Sequence, residues 1–427
     1  LQHINLEKLG IQHLNELQLA CLDAAKTHRE LIVYAPTGSG KTLAFLLTAL
    51  KNLTAIPSEI QVLIISPTRE LVLQIESVSK LLTKQYKINA FYGGHSIKIE
   101  ENNLTSIPAI VVATPGRLAD HLRRGNINLN AVHTLVLDEF DKALEMGFED
   151  DMRYILQATP HIQNRMLTSA TKLNEIPSFA VSKQAATIDF CVDEPLNLEY
   201  FKLPHLDRAH EDLLFRLLCS FQHEKTIIFC NFRERVMDLA ESLSNFGLVV
   251  SPYHGGMEQD ERERALIRFR NGSSTVLIST SLASRGLDIP AVENIVHDQL
   301  PETENDFIQR NGRTARQDNS GKVYFFDDKS FEFLPQTKEY DIKKASVPAP
   351  RWKTIYINAG KKDKVNKVDL VGFLHQVGNL SRDEIGIINV LDRSSFVAIS
   401  SDVAEDVVPQ LRGQKIKGKK RLIGFAR

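Results

Sequence analysis

Ala35-Pro36-Thr37-Gly38-Ser39-Gly40-Lys41-Thr42 follows an apolar run, Leu31 to Tyr34, that predicts a buried strand. It precedes Leu43 to Leu50, an apolar segment that predicts the start of a helix. Strand, glycine-containing loop and helix N-terminus in that order aim several backbone N–H groups and the positive end of a helix dipole at one spot, where a polyphosphate fits. Thr37, Gly38, Ser39 and Gly40 would form the cradle. Lys41 would reach the β and γ phosphates, and the Thr42 hydroxyl would ligate Mg²⁺. A glycine turn that matches by chance is the alternative. Gly, Lys and Thr at the required spacing, inside a strand-to-helix context, argue against it.

Outward from this loop the chain keeps one rhythm. Val62 to Ser66, Ile88 to Tyr92, Ile110 to Ala113, Thr134 to Leu137, Met166 to Thr168 and Ala186 to Phe190 are short Val- and Ile-rich runs separated by helix-length polar stretches. The pattern predicts a parallel sheet with helices on both faces. Thr226 to Phe229, Val249 to Tyr253, Val276 to Ser279, Asn294 to His297 and Val323 to Phe326 repeat it. The expectation is an α/β protein with two doubly wound domains in tandem, over residues 1–195 and 206–345, joined through Glu194 to Asp207 with its two prolines.

Charge sets the tail apart. Residues 351–427 hold 15 Lys and Arg against 8 Asp and Glu, while the rest holds 37 against 45. A basic tail on an acidic body suggests that the tail meets a polyanion. The scattered Cys21, Cys191, Cys219 and Cys230 have no metal-ligand spacing and read as core thiols of a reducing compartment. No apolar run approaches the ~20 residues of a membrane span. A cytoplasmic protein without a membrane partner is expected, and no feature suggests an obligate oligomer.

Val136-Leu137-Asp138-Glu139-Phe140-Asp141 predicts a strand ending in acidic residues. Beside the phosphate loop, Asp138 can hold the Mg²⁺ shell and Glu139 can polarise an attacking water. Ser169-Ala170-Thr171, also at a strand end, offers two hydroxyls to Asp141. In the second half, Gln309-Arg310-Asn311-Gly312-Arg313-Thr314-Ala315-Arg316 spaces three arginines by three. Either Arg313 and Arg316 are arginine fingers for a γ phosphate, or the segment is a solvated basic helix. Ser284 to Asp288 offers a tight turn and a carboxylate suited to a ribose hydroxyl.

Taken with Pro67-Thr68-Arg69-Glu70-Leu71, Gly93-Gly94, Thr114-Pro115-Gly116-Arg117 and Thr280 to Asp288, these motifs stand in the order seen in DEAD-box RNA helicases. The chain resembles that family from about Ile11 to Phe326, which implies two RecA-like domains, ATP with Mg²⁺, and RNA. By this resemblance Gln18 reads adenine, and Pro67, Thr68, Arg69, Gly94, Thr114, Pro115, Gly116 and Arg117 grip RNA from the first domain. Arg233 and Thr280 grip it from the second, Asp288 holds the nucleotide ribose, and Asp141, Ser169 and Thr171 couple the sites. Several positions depart from the family pattern: Asn15-Glu16 sits where Thr-Pro is typical, and the aromatic expected upstream of Gln18 is absent. Phe140 replaces Ala and would add bulk beside the Mg²⁺ site, Gln309 replaces His, Asn311 an aliphatic residue, and Ser281 stands where Asp is common.

After Ala345 to Pro350, four apolar runs and two amphipathic segments fall in βαββαβ order, which predicts a small RRM-like α+β domain over residues 351–427. Several of its stretches, including Lys367 to Leu374 and Lys415 to Lys420, resemble the C-terminal RNA-binding domain of DbpA-type bacterial helicases, which implies a ribosomal RNA hairpin as target. Stacking aromatics of the usual RRM pattern are missing, so Lys361, Lys362, Lys364, Lys417, Lys419, Lys420 and Arg421 are expected on backbone phosphates. An RNA-dependent ATPase that unwinds short duplexes is the leading expectation. Its rivals are an ATP-locked RNA clamp and a DNA-directed translocase.

Overall fold

A computed structural model describes residues 4–36, 38–54, 59–173, 175–191, 197–204, 210–284, 292–315, 320–326, 333–342 and 344–426. Residues up to Glu194 form one compact unit, and the second sheet with the C-terminal domain belongs to another.

The first unit is built on β1 (Glu30–Tyr34), β2 (Val62–Ile65), β3 (Ile88–Phe91), β4 (Ile110–Ala113), β5 (Thr134–Leu137), β6 (Asn164–Ser169) and β7 (Ala186–Asp189). They form a seven-stranded sheet in the order β3-β4-β2-β5-β6-β1-β7. Every pairing is parallel. The apolar runs do not alternate with polar residues because both sheet faces are covered. Val62 and Ile64 enter one core with Leu31, Val33, Ile110 and Val136, while Leu63 and Ile65 enter the opposite core with Ile32, Val111, Leu135 and Leu137. Each such side chain contributes roughly 1.5–3 kcal/mol on burial.

The second sheet contains β8 (Leu198–Leu203), β9 (Thr226–Phe229), β10 (Val250–Tyr253), β11 (Val276–Ser279), β12 (Asn294–His297), β13 (Gly321–Phe326) and β14 (Lys338–Glu339), in the order β10-β11-β9-β12-β13-β8-β14. One expectation is corrected here. Leu198–Leu203 falls within the stretch read as a connection, yet it pairs with all of Gly321–Phe326 and places Phe201 and Leu203 in the core. The second sheet thus begins before residue 206. Pro204 follows the strand directly, so it interrupts none of its ladder bonds.

The C-terminal domain has β15 (Trp352–Ile357), β16 (Ile385–Val390), β17 (Ser395–Ser400) and β20 (Ile423–Phe425) in an antiparallel sheet of order β16-β17-β15-β20. Helices Lys367–Gly378 and Ser401–Leu411 cover one face. The βαββαβ expectation holds. A two-stranded hairpin, β18 (Lys415–Ile416) with β19 (Lys419–Lys420), is added before β20. Its turn places Lys417 (φ 50°) and Gly418 (φ 77°) in the left-handed region, as a tight two-residue hairpin turn requires. No helix among the described residues is long and apolar enough to cross a membrane.

Candidate active site and nucleic-acid interface

Sheet order separates two sets of motifs in the first unit. The phosphate loop, the acidic strand end and Ser169-Ala170-Thr171 follow β1, β5 and β6, which are neighbours in the order β5-β6-β1. Thr68, Gly94 and Thr114 follow β2, β3 and β4, which are neighbours on the other side. Both groups lie at the carboxyl ends of parallel strands, where open α/β sheets hold their ligands.

The loop after β1 takes glycine for steric reasons. Gly40 has φ 93°, and a Cβ on it would stand 2.5 Å from Gln18 Nε2. Gln18 and Asn15 form a capping box at the start of helix Glu16–Ala24, each side chain accepting the other's backbone N–H at 3.0 Å. Their amides then reach the loop: Asn15 Nδ2 donates to the Ser39 carbonyl at 2.8 Å and Gln18 Nε2 to that of Gly40 at 3.5 Å. Gln18 is therefore part of the loop wall, and Asn15 replaces the family's residue with a functioning cap. Lys41 opens helix Lys41–Lys51, and its buried ammonium donates to the carbonyls of Ala35 and of Pro36, the latter at 3.1 Å. Burial pushes the Lys41 pKa down, and the charges of Glu139 and Asp138 pull it up. Ser39 Oγ is buried in this cradle with no partner among the described residues, as a phosphate-binding hydroxyl should be. Thr37 lies outside the described residues.

Asp138 is fixed by two hydroxyls, Thr168 Oγ1 donating at 2.7 Å and Ser66 Oγ at 3.2 Å. Burial raises its pKa, against the Thr168 hydrogen bond and the charge of Lys41. With Thr42 in the first turn of the adjacent helix, this oxygen set fits Mg²⁺. Glu139 is buried in the left-handed region at φ 44° and ψ 53°, unusual for a residue with a side chain. Its N–H donates to Thr168 Oγ1 at 3.3 Å, so one threonine orients both acids.

Two expectations change. Of the hydroxyls offered to Asp141, Thr171 Oγ1 does donate to it, at 2.9 Å, but Ser169 Oγ donates to the Thr171 carbonyl at 2.5 Å and accepts the Thr171 N–H at 3.2 Å. Ser169 thus shapes the turn that presents Thr171. Phe140 adds no bulk beside Asp138. It is fully buried in the core with Met152, Ile155 and Ala180, and its ring meets Phe179 edge-on with centroids 6.3 Å apart. Phe140→Ala, although it restores the family's residue, leaves a cavity and is expected to destabilise the first domain by about 3–5 kcal/mol. Urea unfolding checks this, and a change below about 1 kcal/mol would contradict the packing.

On the RNA side, Thr68 caps helix Arg69–Leu82, accepting the Leu71 N–H at 3.4 Å. Arg69 lies over the Tyr92 ring at 4.5 Å and donates to the Gly93 carbonyl at 3.4 Å. A Cβ on Gly94 (φ 90°) would stand 2.6 Å from Arg69 Nη1, so glycine permits this approach. Thr114 precedes helix Pro115–Arg123, which takes Pro115 and Gly116 in its first turn. Arg117 is held within the domain, its Nε donating to Glu100 Oε2 at 2.6 Å and its Nη2 to the His95 carbonyl at 2.8 Å, so it also braces the protein. Glu100 is itself buried. It also accepts the Tyr92 N–H at 2.9 Å and meets His121 Nε2 at 2.8 Å and His95 Nε2 at 3.1 Å.

In the second domain Arg233 starts helix Arg233–Asn245 after β9, exposed and paired with Glu234 at 2.7 Å. Thr280 follows β11. Sequence reading missed their neighbour His254-Gly255-Gly256, which follows the edge strand β10 as Gly93-Gly94 follows β3. A Cβ on Gly256 would lie 3.2 Å from His254 Nδ1 and 3.5 Å from Arg233 Cδ. The repeated Gly-Gly was the available signal. Arg310 is a tie within the domain, bonding Asn231 Oδ1 at 2.8 Å, the Gln299 carbonyl at 3.0 Å and Ser281 Oγ at 2.9 Å. Ser281 thus keeps the bond to Arg310 that an Asp could make. Asn311 pairs with buried His297 at 2.9 Å, and burial with the nearby Arg310 pushes the His297 pKa down to about 3. Arg313 is buried, its Nε donating to the Ser284 carbonyl at 2.8 Å. Arg316 and Asp288 lie outside the described residues.

In the C-terminal domain, ion pairs lock the lysine-rich hairpin. Lys417 meets Asp369 at 2.6 Å, and Arg421 meets Asp363 at 2.9 Å and the Asn358 carbonyl at 3.3 Å. Arg421 is largely covered by these contacts, while Lys361, Lys362, Lys364, Lys367, Lys417, Lys419 and Lys420 are exposed.

The comparisons follow this division. Residues 15–176 match the DEAD/DEAH box helicase family, residues 209–318 the helicase conserved C-terminal domain, and residues 354–423 the DbpA RNA binding domain. The ATP-dependent RNA helicase DbpA of Escherichia coli K12 is 33% identical, over 98% of this chain and 95% of its own length. DbpA of Bacillus subtilis 168 is 30% identical, over 99% and 96%. Among solved structures, S. cerevisiae Dbp5 bound to RNA and ADP BeF3 superposes with a TM-score of 0.66 at 26% identity, over 75% of this chain and 85% of that one. The chain belongs to the DEAD-box ATP-dependent RNA helicases, and its C-terminal domain places it with the DbpA type.

Proposed function

We propose that this helicase opens short duplexes in ribosomal RNA during ribosome assembly, as a cytoplasmic monomer, while its C-terminal domain anchors an RNA hairpin. The observation that carries the address is the lysine rim, where Asp363 and Asp369 hold the hairpin and leave Lys361, Lys364, Lys419 and Lys420 in excess. Both DbpA relatives align over nearly all of this chain, and the Dbp5 structure contains RNA and a nucleotide analogue on the same fold.

In the reaction Lys41 and the loop N–H groups hold the phosphates, and Gln18 reads the base. Thr42 and Asp138 would hold Mg²⁺, which neutralises charge on the phosphate oxygens. Glu139 orients and deprotonates the attacking water. The loop and acids belong to one domain and Arg313 and Arg316 to another, so turnover requires both, and RNA supplies the condition that brings them together.

The test is ATPase activity of the full chain alone, with single-stranded DNA, with generic RNA, and with a hairpin-bearing ribosomal RNA fragment. The fragment should stimulate most, and Lys419→Glu/Lys420→Glu should weaken its binding by about tenfold and reduce the salt dependence. Equal stimulation by all RNAs would remove the ribosomal address, and equal stimulation by DNA would favour a DNA-directed translocase.

A further inference from the structure

The two helicase sheets repeat one arrangement, and one residue breaks it. Sheet order makes β9 of the second domain the counterpart of β2 in the first, with β11 and β10 placed beside it as β4 and β3 are beside β2. Each of these two strands leads to a helix that opens on Arg-Glu: Thr68-Arg69-Glu70 starts Arg69–Leu82, and Phe232-Arg233-Glu234 starts Arg233–Asn245. Thr68 and Phe232 are each the third residue after their strand. They also share a backbone conformation, φ −122° and ψ 152° at Thr68, φ −118° and ψ 145° at Phe232. The side chains differ. Thr68 caps its helix by accepting the Leu71 N–H, whereas Phe232 has no group to accept with and its helix lacks a side-chain cap. A threonine at 232 would supply that bond.

Phe232 also leaves its ring in water. It is 60% exposed, more than any other Phe, Tyr or Trp among the described residues, and it meets no second ring there. A single exposed apolar residue is ordinary on a protein surface, so its place must carry the argument. Phe232 stands on the edge where the second domain's RNA grip is expected. Arg233 is its neighbour, Thr280 follows β11, and Gly256 follows β10 so close to Arg233 that a Cβ on it would lie 3.5 Å from Cδ. Arg233 is exposed and pairs with exposed Glu234, a contact weak enough to give way to a phosphate. The arginine offers charge to a nucleic-acid backbone, and the bare ring beside it offers a face to a base. We propose that Phe232 stacks on a nucleobase of the single strand gripped by the second domain, so that this helicase holds RNA by a base as well as by phosphates and sugars. The proposal rests on the RNA role read for Arg233 and Thr280. Every base has a π-face, so the ring adds affinity without sequence preference.

The test is equilibrium binding of the full chain, in the presence of ADP BeF3, to a short single-stranded RNA that forms no hairpin for the C-terminal domain. Phe232→Thr installs the residue of the first domain together with its cap, so its urea midpoint should be no lower than the parent's. Its RNA affinity should fall about 5- to 150-fold. Phe232→Trp, which keeps a stacking face, should bind at least as tightly as the parent. Strands that each lack one base then locate the contact. At one position the missing base should weaken the parent about as much as Phe232→Thr does, and should weaken Phe232→Thr itself by no more than about twofold, because the partner is already gone. Affinity of Phe232→Thr within about twofold of the parent, or an equal loss on the intact strand and on every abasic one, would overturn the stacking. Arg233→Ala separates the ring from the reading beneath it. A loss with Arg233→Ala and none with Phe232→Thr removes the ring alone, while no loss from either removes RNA from this edge and takes the proposal with it.

Discussion

Glu139→Gln is expected to lower RNA-stimulated ATP turnover by about 10²–10⁴-fold while nucleotide affinity stays within the same order of magnitude. The substitution is close to isosteric. It keeps a side chain of the same length at a buried position, and it leaves the backbone N–H on Thr168 Oγ1 in place. What it removes is the ability to accept a proton from water. The backbone argues that this position is held for chemistry: φ 44° and ψ 53° place Glu139 in a conformation that costs a non-glycine residue about 1–3 kcal/mol, and Asp138 and the helix Phe140–Glu145 hold it there. Single-turnover hydrolysis with saturating RNA checks the effect, with binding of a fluorescent ATP analogue as the control. Turnover within about threefold of the parent would remove Glu139 from the chemical step.

Glu100→Gln is expected to cost the first domain about 3–5 kcal/mol, because it leaves the Arg117 guanidinium beside a neutral partner in a mostly buried site. Glu100 accepts from the Tyr92 N–H and Arg117 and meets His121 and His95, all within 3.1 Å. Burial alone would raise its pKa. The hydrogen bonds from His121, the Tyr92 N–H and Arg117 outweigh that and hold it below its usual 4.5. A carboxylate with a lowered folded pKa contributes stability that is present above its unfolded value and lost as pH falls through the folded one. Burial also lowers the His95 pKa from 6.5, so the unfolded chain takes up this proton first and stability falls with pH from that point. The variant should lose the Glu100 part of this acid sensitivity. The network braces the ends of β3 and β4 and not β1, β5 or β6, so RNA affinity should fall while ATP affinity is retained. Hydrogen exchange of β3 and β4 amides together with the two binding constants reads this out. Unchanged protection of those strands would refute the bracing role.

The repeating apolar runs contained the two parallel sheets, because strands buried on both faces must be apolar throughout. The phosphate loop was legible for a similar reason: glycine spacing, lysine and threonine are demanded by local backbone geometry, and local geometry is written in local sequence. Leu198–Leu203 was hidden because its partner, Gly321–Phe326, is far away in the chain and its flanking prolines look like a linker. Residue type said that Phe140 was bulky, but not which way it points. Only the left-handed turn at Glu139 and the packing beneath it send the ring into the core. Arg117 was legible as a cation, and only the tertiary structure showed that the buried carboxylate of Glu100 pairs with it. Sequence by itself determined the domain types, the nucleotide chemistry and the basic character of the tail. Tertiary structure decided which hydroxyl serves Asp141 and which cations remain outward. Those outcomes depend on contacts between residues distant in the chain, and such contacts leave no period or spacing for a sequence to display.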